Sequence, residues 1–152
     1  VAVVGHSAGG HLAVWAAGRH ALPSEAPWAD PVVRPVAAVP LAGVLDLVTC
    51  AEQRLGGSAC IDLLRGTPAQ EPQHYAWTSP IEVAPIGVPV VAVHGDDDGN
   101  VPLSQSSDYV DRAVATGDPA ELVVIEGADH FDVIDPEHES WTTVLDRLAD
   151  LL

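Results

Sequence analysis

Residues 1–17 read VAVVGHSAGGHLAVWAA. The first four residues are apolar and mostly β-branched and end at Gly5, which predicts a short buried strand over 1–5. The apolar run over 8–20 predicts a helix with Leu12, Trp15 and Ala16 on one side. Between them lies Gly5-His6-Ser7-Ala8-Gly9, a G-x-S-x-G pattern. A chain passing from strand to helix within two residues holds the serine in a strained conformation. It also asks for residues without bulk two positions to either side. Such a turn pushes the Ser7 hydroxyl clear of the sheet. It leaves the Ala8 N–H at a helix N-terminus, where it can stabilise an oxyanion. The bland alternative is a glycine-rich turn whose serine only caps the helix.

Further apolar runs follow. PVAAVPLAGV (35–44) is interrupted by Pro40, VPVVAVHG (88–95) reads as a buried strand, and ELVVIEG (121–127) reads as a fourth. Helices are expected over 103–116 and over 137–152, the latter with Trp141, Val144, Leu145, Leu148 and Leu152 at helical spacing. Continuous apolar strands separated by helices imply an α/β fold, a mostly parallel sheet with helices on both faces. The stretch 46–87 has no clear period and carries Pro68, Pro72, Pro80 and Pro85. It reads as a short helix and an excursion between two strands, not a second domain.

A serine hydroxyl needs a base, and the base needs an orienting carboxylate. Both follow in the expected chain order. After the strand at 88–94 come Asp96, Asp97 and Asp98, in a loop at the carboxyl end of a strand, where α/β sheets build their sites. Local chemistry does not choose among the three, and a solvated acidic turn is the competing reading. After the strand at 121–126 comes His130, behind a glycine and ahead of the last helix. His6, His11, His20, His74 and His138 fit the base role less well, and His94 is expected to pack at a strand end. His6 and His11 do not make an H-E-x-x-H zinc pattern. The Asp run lacks the turn glycine and closing glutamate of a calcium loop. No metal and no cofactor is expected.

Composition narrows the partners. The chain has 152 residues, 22 acidic against 6 basic, for a net charge of −16. Such a chain repels nucleic acid and anionic membrane surfaces. No apolar run is long enough to span a membrane, and no signal peptide is visible; a cytoplasmic location is the expectation. Met is absent, so Val1 does not read as an initiator and the chain reads as a partial or processed product. Cys50 and Cys60 are expected to be free thiols, since buried cysteine often acts as a small apolar residue.

GHSAGGHLA, HGDDDGNVPLSQS and GADHFDVIDP, with LLRGTP and YAWTSPIEVAP between, resemble the C-terminal part of an α/β-hydrolase. The resemblance is to the branch holding kynurenine formamidase-like and feruloyl-esterase-like proteins and prolyl oligopeptidase-type catalytic domains. It covers nearly the whole chain. It implies a serine hydrolase with Ser7 as nucleophile, Asp98 as the acid, His130 as the base and Ala8 N–H as an oxyanion donor. The implied partner is a small-molecule ester or amide. A prolyl oligopeptidase-type peptidase and a non-catalytic binding module on the same fold are the alternatives. Tyr75, Trp77 and Phe131 are candidates for the pocket, with core packing the stronger expectation for each. The resemblance also implies that about 100 residues precede Val1, given the 200–250 usual for such a domain. They would hold an H-G-G-type oxyanion element, and 1–152 would be a partial domain with little activity alone.

Overall fold

The computed structural model describes all 152 residues. Four strands, β1 (Ala2–His6), β2 (Ala37–Leu41), β3 (Val90–Gly95) and β4 (Ala120–Ile125), form one parallel sheet in the order β1-β2-β3-β4. Each crossover carries helix: α1 (Ala8–Gly18) after β1, and α6 (Ser104–Ala115) between β3 and β4. The helix α7 (Glu139–Asp150) closes the chain. The result is the α/β architecture expected from the alternating pattern. No helix is long and apolar enough to cross a membrane.

Both central strands, β2 and β3, are buried at every residue. Their alternate residues serve two cores. Val90 and Ala92 face a cluster with Val14 and Ala17 of α1 and Tyr109, Val110 and Ala113 of α6. Val91 and Val93 face the opposite cluster, with Val133 and with Val144 of α7. Each fully buried valine contributes roughly 1.5–3 kcal/mol by leaving water. The sheet is thus held from both faces. β1 and β4 are its edges, and Val4 and Val124 are each 44% exposed.

Several local expectations are corrected. Pro40 does not break its strand but lies within β2, paired with Gly5. Its missing N–H falls on the β3 side, where the recorded pairs are only Ala38 with Val90 and Leu41 with Val93. Bonds from Ala38 N to Pro89 O (3.0 Å) and Ala42 N to Val93 O (2.8 Å) hold the strand on either side of the gap. On α1 the buried residues are Gly10, His11, Ala13, Val14, Ala17 and Gly18, while Leu12 is exposed. The helix is apolar all round, so backbone fit selects its face. A Cβ on Gly10 would lie 2.7 Å from Gly43 Cα, and one on Gly18 would lie 2.6 Å from Ile86. Trp141, Val144 and Leu148 of α7 and Leu151 just after it meet the sheet, and Leu145 and the C-terminal Leu152 are exposed.

The stretch 46–87 holds four short helices, α2 (Leu47–Gln53), α3 (Ala59–Leu64), α4 (Pro72–Thr78) and α5 (Pro80–Val83). Two of its prolines start helices, since Pro72 and Pro80 stand in the first turns of α4 and α5, where a missing N–H costs nothing. Asp46 caps α2 by accepting from Val48 N and Thr49 N. Buried Gln105 of α6 fixes the entry to α2, accepting from Leu45 N (2.9 Å) and Asp46 N (2.8 Å).

Candidate active site

Ser7 sits between β1 and α1 with φ 55° and ψ −119°, a backbone region that costs a non-glycine residue about 1–3 kcal/mol. The surroundings hold it there. Ser7 N donates to Leu41 O at 2.8 Å, and Ser7 O accepts from Gly10 N at 2.9 Å and His11 N at 3.2 Å. Gly5 is required by this turn: a Cβ there would lie 2.0 Å from Gly9 O. Gly9 is not, since a Cβ there meets nothing within 4 Å. The expected need for small residues on both sides is therefore real on one side only. Ser7 gives α1 no side-chain cap, which disposes of the capping role for its hydroxyl. The Ala8 amide opens α1 and makes no hydrogen bond within the chain.

Asp98 and His130 come from the loops after β3 and β4. These loops are stitched together: Asp97 N donates to Ala128 O (3.1 Å) and Gly127 N donates to the Asp96 carboxylate (2.6 Å). Gly95 permits the contact, because a Cβ there would lie 2.1 Å from Ala128 O. His130 Nδ1 is 2.7 Å from Asp98 Oδ2, and the Asp98 side chain is 1% exposed. Asp98 Oδ1 accepts from Asn100 N and Val101 N, each at 2.8 Å. Burial pushes the Asp98 pKa up. The bonds from Val101 N, His130 and Asn100 N outweigh it and leave the carboxyl below its ordinary value. The three aspartates thus separate by geometry: Asp96 ties loop to loop, Asp97 is exposed, and Asp98 meets the histidine.

Ser7 and His130 wall one cavity of about 310 Å³, together with Ala8 and His11. Ser7 Oγ and His130 are not hydrogen-bonded to each other; in unliganded sites of this kind such contacts are often loose. Apart from Asn100 the rest of the wall is apolar, with Val44 and Leu47 near the start of α2 and Leu63 on α3. Trp77 and Tyr75 lie outside this cavity. Tyr75 is buried, with its hydroxyl donating to Gly66 O at 3.0 Å. Phe131 is neither core nor cavity: it is 59% exposed, its ring edge-on to His130 with centroids 5.2 Å apart.

Two histidines matter more than their sequence context suggested. His94 does pack, being fully buried, but it also organises the acid loop. Its Nδ1 meets Ser106 Oγ at 2.8 Å, and its Nε2 lies 2.9 Å from Val101 O and 3.3 Å from Asp98 Oδ2. Burial pushes its pKa down, only partly countered by the Val101 carbonyl and Asp98. His6 Nε2 donates to His130 O at 2.7 Å, joining the serine turn to the histidine loop across 124 residues. The only sequence signals were position: His94 at a strand end four residues before Asp98, and His6 beside Ser7. His11 is buried, its Nε2 on Thr78 O at 2.9 Å, and burial pushes its pKa down.

The BD-FAE family model matches residues 1–112. Among solved structures, the chain is similar to an acetyl ester-xyloside bifunctional hydrolase from Caldicellulosiruptor lactoaceticus, with 23% identity and a TM-score of 0.71 over 97% of this chain and 54% of that one. It is similar to a propionate-bound thermophilic esterase from the planctomycete Thermogutta terrifontis, with 26% identity and a TM-score of 0.70, over 98% of this chain and 53% of that one. An acylaminoacyl peptidase from Pyrococcus horikoshii shares the fold at 19% identity and a TM-score of 0.70, over 96% of this chain and 23% of that one. The chain thus spans about half the length of the two esterase-type structures. No curated protein matches it in sequence.

Proposed function

The chain belongs to the BD-FAE family, and from that premise we propose that it carries the nucleophile, acid and base of a serine hydrolase cleaving carboxylic esters through an acyl-enzyme. One observation carries this reading: the strained Ser7 turn and His130, paired with Asp98 at 2.7 Å, open onto one cavity. His130 takes the Ser7 proton at Nε2 as Oγ attacks the ester carbonyl. Asp98 holds the Nδ1 proton and stabilises the imidazolium. The Ala8 N–H donates to the developing oxyanion as one of its donors. A second donor is expected from the H-G-G-type element that the resemblance puts before Val1. His130 then returns the proton to the leaving alkoxide, and water repeats the cycle on the acyl group.

The likeness to the propionate-bound esterase, at 26% identity, supports an ester over a peptide. So does the cavity, whose wall of Val44, Leu47, Leu55 and Leu63 suits a small apolar acyl or alcohol group. The test is a fluorophosphonate probe on the full-length protein carrying this chain, read by peptide mapping. Labelling at Ser7, abolished by Ser7→Ala and accompanied by p-nitrophenyl butyrate hydrolysis, is the expected result. Labelling that survives Ser7→Ala overturns the assignment.

A further inference from the structure

Cys50 on α2 and Cys60 on α3 are both buried, and both line the cavity onto which Ser7 opens. They share one apolar cluster with Leu47, Ala51, Leu64 and Tyr75. Neither is bridged; the Cys50 thiol donates to Leu55 O at 3.9 Å, and the two thiols are close enough to perturb each other's titration. Cys60 Sγ also lies 3.3 Å from Leu47 O, at the start of α2. The serine chemistry uses neither sulfur. Two thiols brought together from separate helices and facing a solvent-connected cavity are reachable by small solutes and screened from large ones.

We infer that Cys50 and Cys60 form a two-thiol modification site, which low-molecular-weight disulfides entering the cavity convert to an intramolecular disulfide that narrows the space beside Ser7. The site itself stands on the cysteine geometry; the consequence for substrate entry rests on the hydrolase reading above. The exchange balances without another reagent. The Cys60 thiolate attacks one sulfur of RSSR and expels RS⁻. The Cys50 thiolate then attacks Cys60 Sγ of the mixed disulfide and expels a second RS⁻. The two thiol protons pass to these leaving groups, so the protein loses two electrons and RSSR becomes two RSH.

The order of attack follows from the mutual effect of the two thiols. The neighbouring Cys50 holds the Cys60 thiol below its ordinary pKa. The neighbouring Cys60, with burial, pushes the Cys50 thiol up. The thiolate is the reactive form, so Cys60 attacks first and Cys50 resolves. A disulfide would draw Cys60 toward Cys50 across a connection between α2 and α3 that turns through Arg54, Gly56 and Gly57, all at positive φ.

The test incubates the full-length protein with oxidised glutathione, alkylates the remaining thiols and maps peptides without reduction. The expected product is a Cys50–Cys60 cross-link lacking two hydrogens, with no glutathione retained and full reversal by dithiothreitol. Cys50→Ser is expected to trap glutathione on Cys60, because the resolving thiol is gone. Two thiols that both remain alkylatable, or glutathione accumulating on wild-type Cys60 without a cross-link, overturn the site. Fluorophosphonate labelling separates the two layers. Loss of Ser7 labelling on oxidation, restored by dithiothreitol, supports the narrowing. A cross-link with unchanged labelling overturns the narrowing. No labelling in either form, with the cross-link present, overturns the hydrolase reading and leaves the thiol site standing.

Discussion

Asp98→Asn changes one atom, and the structure dictates how the amide must sit. Oδ1 of Asp98 accepts two backbone N–H groups, from Asn100 and Val101, both at 2.8 Å. An NH₂ at that position would face two donors, so the Asn oxygen takes the Oδ1 place. The NH₂ then takes the Oδ2 place, 2.7 Å from His130 Nδ1. A donor there requires Nδ1 to be an acceptor, so the His130 proton moves to Nε2, the nitrogen that takes the serine proton in the proposed mechanism. His94 tolerates the swap, because its Nε2 keeps the Val101 carbonyl at 2.9 Å. The expected effect is a fall in kcat of about 10⁴-fold, or ~5.5 kcal/mol of barrier, with the fold intact. Initial rates on p-nitrophenyl butyrate with the full-length protein measure it, and a melting curve confirms folding. Asp97→Asn, at an exposed position with no side-chain bond, is the control and should retain near wild-type rates. An Asp98→Asn enzyme within about tenfold of wild type would refute the orienting role.

Two other outcomes follow from contacts of the same site. Gly5→Ala should be severely destabilising, by about 4 kcal/mol or more, since its Cβ would lie 2.0 Å from Gly9 O. Gly9→Ala should be neutral or stabilising by up to ~1 kcal/mol from helix propensity, as nothing lies within 4 Å; urea unfolding of both variants decides it. Stability should also fall as pH drops below the ordinary histidine value of 6.5. Buried His11 and His94 have lowered pKa values in the folded state, so the unfolded chain takes up protons first as pH falls. Their stabilisation is complete above the unfolded pKa and is lost on the way down to the folded one. Melting temperatures at pH 8, 6.5 and 5.5 check this, and a flat profile contradicts it.

Much of the site was legible along the chain because its parts are local. β1, β3 and β4 are short apolar runs with a glycine at or near their carboxyl ends. The strand-to-helix serine turn needs only five consecutive residues. Ser7, the Asp96–Asp98 run and His130 could each be read from position because a parallel sheet delivers successive loops to one edge. Distances across the chain were not legible. Local chemistry near Asp96, Asp97 and Asp98 does not say which carboxylate meets His130, since the choice depends on how the β3 and β4 loops lock through Gly95 and Ala128; only the family resemblance pointed to Asp98.

Elsewhere only three-dimensional packing decided. The α1 helix is apolar all round, so its buried face was set by where Gly10 and Gly18 let backbone and side chains approach. Pro40 looked like a break but is held by hydrogen bonds on either side of it in a strand flanked on both sides. His94 looked like simple packing, yet its two ring nitrogens hold the acid loop to α6. Cys50 and Cys60 are ten positions apart on different helices, and their meeting at the cavity wall follows from how α2 and α3 fold over Ser7. Periodicity and turn chemistry act over a few residues and are written in sequence. Which side chains meet across loops and layers is fixed by close packing, and there the tertiary structure alone has the answer.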